Sequence, residues 1–242
     1  METFGGFPFA PAPHPLRSTF IPIFDAADHI VVYSDIAKRS FIENGVAEQK
    51  ISVVPLGFTG AVDYVGPSHR DPHLLVYVGR VDAYKGVDVA VETVRRLGSP
   101  FRLAVAGPAS PEAAAWLRKK PHVEYLGILT KQQLRSLWRG AGYMLAPSVE
   151  SFGFAVLEAL SLGTPTITRE TTGVSSLLPR SIANVVSGRS PDAWASKIVE
   201  LSRSYGDLVS EHSVRSSLPS ISWDAARDAQ LEVYRSQGLI TR

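Results

Sequence analysis

From residue 74 onward the chain alternates short apolar runs with amphipathic stretches, and this alternation restricts its fold more than any other feature. Runs at 74–78, 101–106, 123–125, 142–146, 164–168 and 183–186 are dominated by apolar and β-branched residues, as strands are. After the first of them, Val87, Ala90, Val91, Val94 and Leu97 recur at a spacing that lays one apolar face along a helix. Strand, helix and strand repeated in this way call for right-handed crossovers and a parallel sheet. Most of the strand runs are continuously apolar, which suits strands covered on both sides. The expected fold class is α/β, a Rossmann-like parallel sheet with helices on both faces.

The flanking segments read differently. Pro8, Pro11, Pro13, Pro15 and Pro22 forbid helix and disrupt strand pairing, so residues 1–26 are expected to form a proline-rich arm. Residues 29–33 and 51–54 read as strands. Between them a helix at 35–44 has Ser34 at its N-cap and Gly45 at its C-cap. Pro55-Leu56-Gly57 stops the second strand, and 59–72 lacks periodicity and reads as a linker. Further helices are expected at 192–204 and 223–234. The domain boundaries that follow are an arm at 1–26, a small unit at 27–61 and the main domain at 62–242.

Composition removes several classes of function. There is no cysteine among the 242 residues, so disulfides, thiolate metal sites, iron–sulfur clusters and a cysteine nucleophile are excluded. The six histidines, His14, His29, His69, His73, His122 and His212, show no metal-ligand spacing, and no metal site is expected. A net charge of +2 is too small for a nucleic-acid stripe, but it is compatible with an anionic ligand or loose attachment to an anionic membrane surface. Lys131, Arg135 and Arg139 line one side of a helix opposite Leu134, Leu137 and Trp138, the pattern of a solvated face. No apolar run approaches the ~18–20 residues of a membrane span, and residues 1–12 lack the pattern of a signal peptide. The expected localisation is cytoplasmic.

In a parallel sheet of this kind, ligands bind at the carboxyl ends of the strands, in the loops that lead into helices. Those loops are 79–86, 107–110, 127–130, 147–153 and 169–173. In the first, Gly79 and Gly86 bracket Arg80 and Lys85, a guanidinium and an ammonium able to hold a diphosphate. It is not a Walker A loop, and the chain contains no Gly-x-Gly-x-x-Gly or Gly-x-Ser-x-Gly motif. In the fourth loop Glu150 precedes Phe152-Gly153, which opens a helix at 154–162 carrying Glu158. The free N–H groups of that first turn favour an anion. A carboxylate accepts two hydrogen bonds side by side, as vicinal hydroxyls offer. Eight helical residues rise ~12 Å, comparable to the separation of the two sugars in a nucleotide diphosphate sugar.

These motifs, in this order, resemble the donor-binding, C-terminal domain of the family-4 (group 1) retaining glycosyltransferases of the two-domain GT-B architecture. The resemblance is carried by Gly79-Arg80 with Lys85-Gly86, then Pro147-Ser148, Glu150, Phe152-Gly153, Glu158-Ala159, Gly163 and Pro165. Leu126-Gly127, Leu134, Leu137, Ser222-Trp223 and Tyr234 extend it. Ala27-Asp28-His29-Ile30 with Ser34, and Val54-Pro55-Leu56-Gly57, resemble the last unit of the family's N-terminal domain and its hinge.

The resemblance implies transfer of a sugar from a nucleotide diphosphate sugar with retention of configuration, to a sugar or lipid acceptor it does not identify. It implies that Arg80 and Lys85 bind the diphosphate and that Glu150 contacts the transferred sugar. Glu158 would hold the ribose, Ile128 would pack the base, and the backbone around Gly153, Phe154 and Ala155, beside Phe152, would receive the phosphate. No cofactor and no metal are implied. Two departures stand out. The family's Gly-Gly-x-x-Glu loop is replaced by Thr171-Thr172-Gly173-Val174-Ser175-Ser176, without the acidic residue. Only a short segment precedes the main domain here, less than the acceptor domain that the resemblance leads one to expect. The alternatives are a non-catalytic donor-binding or regulatory subunit served by an acceptor-domain partner chain, and a nucleotide-sugar epimerase. A homo-oligomer is compatible with either.

Overall fold

A computed structural model describes residues 23–24, 26–60, 69–178, 184–210 and 221–241. Residues 1–22 and 25 of the expected proline-rich arm (1–26) and residues 61–68 of the expected linker (59–72) lie outside the described residues.

The first unit is a small βαβ element. Strands β1 (Ile30–Val32) and β2 (Ile51–Val53) pair in parallel, and helix α1 (Asp35–Glu43) connects them. Ser34 caps α1 as expected, its Oγ accepting from Ala37 N–H at 3.2 Å. Val32, Val46 and Ile51 form a small core with Phe41 against it.

The main unit is a six-stranded sheet, parallel throughout. In chain order it contains β3 (Asp71–Val78), α2 (Val87–Leu97), β4 (Arg102–Ala106), α3 (Pro111–Arg118) and β5 (Val123–Gly127). It continues with α4 (Lys131–Gly140), β6 (Ala141–Ala146), α5 (Phe154–Ser161), β7 (Thr166–Arg169) and β8 (Asn184–Val186). Helices α6 (Pro191–Ser202), α7 (Tyr205–Leu208) and α8 (Trp223–Ser236) follow. This is the expected α/β class, a parallel sheet with helices on both sides.

Two cores explain why the strands read as unbroken apolar runs. Leu75, Tyr77, Leu103, Val105, Tyr143, Leu145 and Ile167 point to the face covered by α2, α3 and α6. Their neighbours Leu74, Val76, Ala104, Met144 and Ala146 point to the other face, under α4 and α5. Every successive residue of these strands therefore finds an apolar layer.

Two strand starts differ from the sequence reading by more than one residue. β3 begins at Asp71, inside the expected linker, and a register shift between Asp71 and Leu75 accommodates Pro72. β7 begins at Thr166 and runs to Arg169, because Thr164 is engaged elsewhere. Its Oγ1 donates to Trp138 O at 2.6 Å and accepts from buried Arg70 at 3.1 Å.

The strand order is β5-β4-β3-β6-β7-β8. The chain moves outward in one direction from β3 to β5, then returns to place β6 on the other side of β3. Loops after β3 and β6 therefore diverge to opposite faces and leave a crevice between them, the usual ligand position in such sheets.

Candidate functional site

The loop after β3 is shaped by its own side chains. Asp82 Oδ1 accepts from Lys85 N–H at 2.8 Å, and Tyr77 donates its hydroxyl proton to Arg80 O at 2.8 Å. Burial pushes the Tyr77 phenol well above its usual value, with the Asp82 and Glu150 carboxylates adding to the effect, so it remains a neutral donor. Gly86 ends the loop at φ 73°, where a Cβ would lie 2.5 Å from Pro147 O. Only glycine lets the loops after β3 and β6 approach this closely.

That approach joins two expected site residues. Lys85 Nζ lies 3.0 Å from Glu150 Oε1, both side chains being partly exposed. Glu150 is held by backbone on both sides: its N–H donates to Thr171 O at 3.1 Å, and its carbonyl accepts from Gly173 N–H at 2.9 Å. A narrow pocket over the crevice is lined by Tyr77, Lys85, Ser148, Glu150, Gly153 and Ala155, among others. It sits at the first turn of α5, whose N–H groups have no acceptor inside the helix. Gly153 enters that helix at φ 111°, and a Cβ there would press on Thr172 Cγ2 at 2.9 Å.

The other expected site residues take separate positions. Arg80 is exposed, ion-paired with Asp82, and lines a second, more open groove with Val81, Pro108, Ala109 and Ser110 rather than the Lys85–Glu150 pocket. Ile128 is 78% exposed at the end of β5, the position of a rim residue. Gly79 begins the first loop, with its N–H donating to Ala106 O at 2.9 Å. Phe152 is buried in the α5-side core and supports the loop from below. Phe154 is partly exposed, packs edge-on against Phe152 and stacks on Trp223 with ring centroids 6.5 Å apart. Glu158 lies on the outer face of α5. Its protein surroundings nevertheless desolvate the carboxyl enough to raise its pKa, and Lys131 acts in the opposite sense.

The divergent loop 171–176 is locally satisfied. Thr171 Oγ1 and Thr172 Oγ1 each donate to Ser148 O at 3.1 Å, and Ser176 Oγ donates to Gly173 O at 3.1 Å. It presents no carboxylate. Among the described residues no group of three or more His, Asp or Glu gathers to hold a metal ion, and no helix is long and apolar enough to cross a membrane.

Several residues around the site were not legible beforehand. Asp88 is fully buried and takes both Oδ atoms to Arg189 Nη2 at 2.8 and 2.6 Å, while Arg189 Nη1 donates to Ala83 O at 3.0 Å. This fork fixes the back of the first loop against the loop after β8. Ser34 donates its Oγ–H to Ser151 O at 2.7 Å, so the cap of α1 also braces the segment between Glu150 and α5. Arg169, at the end of β7, had been placed in a loop. An aspartate in a helix first turn, as Asp88 is, is ordinary, and nothing in the sequence points to its distant partner.

The Glycosyl transferases group 1 family matches residues 72–204. A D-inositol 3-phosphate glycosyltransferase of Mycobacterium avium (strain 104) is 26% identical over 238 residues, covering 88% of this chain and 56% of that protein. The chain thus spans little more than half the length of this curated relative. Among solved structures, Anabaena Alr3699/HepE in complex with UDP and glucose superposes with a TM-score of 0.72 at 16% identity, over 91% of this chain and 66% of that one. Sucrose-phosphate synthase from Thermosynechococcus elongatus superposes with a TM-score of 0.71 at 20% identity, over 92% and 61%. At these identities the structures speak to the fold alone.

Proposed function

The chain belongs to the group 1 glycosyl transferases, and on that premise we propose that it binds a nucleotide diphosphate sugar and serves its transfer, with retention, to an acceptor. The observation that carries the reading is the Lys85–Glu150 pair, 3.0 Å apart in the crevice beside the first turn of α5. A cation and a helix N-terminus that converge at one point suit a diphosphate, and a carboxylate next to them suits sugar hydroxyls.

In this reading Lys85 and the N–H groups around Gly153–Ala155 hold the diphosphate. Arg80 turns from Asp82 to join them, because an exposed ion pair is worth about 1 kcal/mol or less and gives way easily to a phosphate. As the bond between the sugar and the phosphate breaks, negative charge builds on the leaving diphosphate, and these fixed donors stabilise it without a metal. The acceptor hydroxyl attacks from the face that the phosphate leaves, and the phosphate takes its proton. Glu150, freed from Lys85, accepts from the sugar hydroxyls. Glu158 accepts from the ribose, and Ile128 lies against the base. HepE, whose crystals hold UDP and glucose, has the same fold, which supports a uridine donor as the first to try.

Titration calorimetry with UDP, GDP and ADP and their hexose derivatives tests the reading. One series should bind, and Lys85→Ala should weaken it about tenfold or more, as expected for a charge-assisted contact. Absence of binding across the panel, or full affinity retained by both Lys85→Ala and Glu158→Ala, would remove the site assignment.

A further inference from the structure

The carboxyl end of β7 carries a cation with an unusual hydrogen-bond balance. The Arg169 side chain is only 15% exposed, and its Nε and Nη1 are buried with no hydrogen-bond partner among the described residues. The nearest carboxylate, Glu170, stands 3.8 Å from Nε and is already engaged, both of its oxygens accepting from Gly188 N–H at 3.0 and 2.9 Å. Buried polar atoms without partners are rare in folded chains and call for an explanation.

The location of Arg169 supplies one. Its carbonyl accepts from Thr172 N–H at 3.0 Å, and Thr172 forms the β-bridge with Glu150. On its other side is Arg189, which donates to Ala83 O in the loop that bears Arg80 and Lys85. Arg169 is thus joined through Thr172 to the loop after β6, and its charge acts on Arg189, which braces the loop after β3. The segment that follows it, 171–176, has spent its Thr171, Thr172 and Ser176 hydroxyls on backbone carbonyls and holds no carboxylate. Those hydroxyls have no proton left to donate, so an anionic group would find its donors on this side of the site in the guanidinium edge.

We infer that Arg169 selects a donor whose sugar carries a carboxylate, a uronic acid, by turning its Nε–Nη1 edge onto that carboxylate. The planar fork of the guanidinium matches a carboxylate with two parallel hydrogen bonds. The edge now faces protein, so the outer part of the side chain must rotate toward the crevice. That rotation breaks no hydrogen bond at Nε or Nη1 and gains two. Arg189 does not compete, because its fork is held by Asp88. The inference rests on the donor-site reading above and narrows it to one class of sugar.

Calorimetry on the full chain with two matched pairs, UDP-glucose against UDP-glucuronate and GDP-mannose against GDP-mannuronate, separates the two levels. The uronate of the pair that binds should be favoured about tenfold or more, and Arg169→Gln should bring the ratio close to one while Arg169→Lys keeps part of it. A melting temperature measured for each variant confirms that it is folded. Equal affinities within the binding pair, or an unchanged ratio in Arg169→Gln, would overturn the uronate inference and leave the donor site standing. Failure of all four donors together with ADP and its hexose derivatives would overturn the donor site and the inference with it.

Discussion

A buried arginine, Arg70, and a half-buried one, Arg169, lie at opposite ends of the same sheet, and the hydrogen bonds of their Nη1 atoms differ. At the amino end, Arg70 Nη1 donates to Trp138 O at 3.1 Å, Ala141 O at 3.2 Å and Thr164 Oγ1 at 3.1 Å, and Nη2 donates to Leu162 O. It ties the end of α4, the start of β6 and the turn between α5 and β7 into one unit. At the carboxyl end, Arg169 leaves Nε and Nη1 without an acceptor. The same side chain serves as a staple where its Nη groups find several acceptors, and at the other end two of its nitrogens find none. The contrast extends to the neighbouring groups: Thr164 and Arg70 are buried together, while Lys85 and Glu150 stay partly open to solvent.

Substitutions at the two ends should therefore diverge in their effect on stability. Arg70→Met strands several backbone and hydroxyl acceptors in the core and should lower the unfolding free energy by about 3 kcal/mol or more, read as a lower urea midpoint at unchanged slope. A loss below about 1 kcal/mol would erase the distinction between the ends. Gly86→Ala comes next. It forces alanine to φ 73° and sets its Cβ 2.5 Å from Pro147 O, so about 2 kcal/mol should be lost and the two loops pushed apart. Weaker Lys85–Glu150 contact should then appear as reduced donor affinity beyond the shift in melting temperature. Arg169→Met should change stability by about 0.5 kcal/mol or less, since it gives up no hydrogen bond from Nε or Nη1.

The smallest effect should have the opposite sign. The Glu158 carboxyl is raised above its ordinary value by desolvation, so the folded chain holds that proton more tightly than the unfolded one. Its contribution to stability is present below the unfolded-state value and is lost as pH rises through the raised one. At neutral pH the ionised Glu158 is thus slightly unfavourable, and Glu158→Gln should raise the melting temperature while it weakens donor binding. A variant that loses both stability and affinity would show that Glu158 has a structural role instead. Donor affinity of the unaltered chain should also fall on acidification earlier than an ordinary carboxylate would produce.

Much of this organisation was readable before any coordinates. Strand runs, helix faces and the Ser34 cap depend on neighbours a few residues away, and the described elements match those readings to within a residue or two at their ends, apart from the earlier start of β3 at Asp71. The loops after β3 and β6 were also identifiable, because Gly86 and Gly153 mark backbone that other residues cannot adopt. Arg80 illustrates the limit. Its residue type suggested a phosphate ligand, but the fold turns it to Asp82 and the neighbouring groove.

By itself, then, the sequence determined the α/β class, the alternation of its elements and the two loops in which a site could form, since each rests on local periodicity and backbone freedom. The tertiary structure alone decided that β6 returns beside β3, which brings Lys85 to Glu150 from far along the chain. It alone decided that the Nη groups of Arg70 meet four acceptors while Nε and Nη1 of Arg169 meet none. Hydrogen-bond balance inside a protein is set by whichever groups the fold brings within about 3 Å, and no local pattern of residues encodes that.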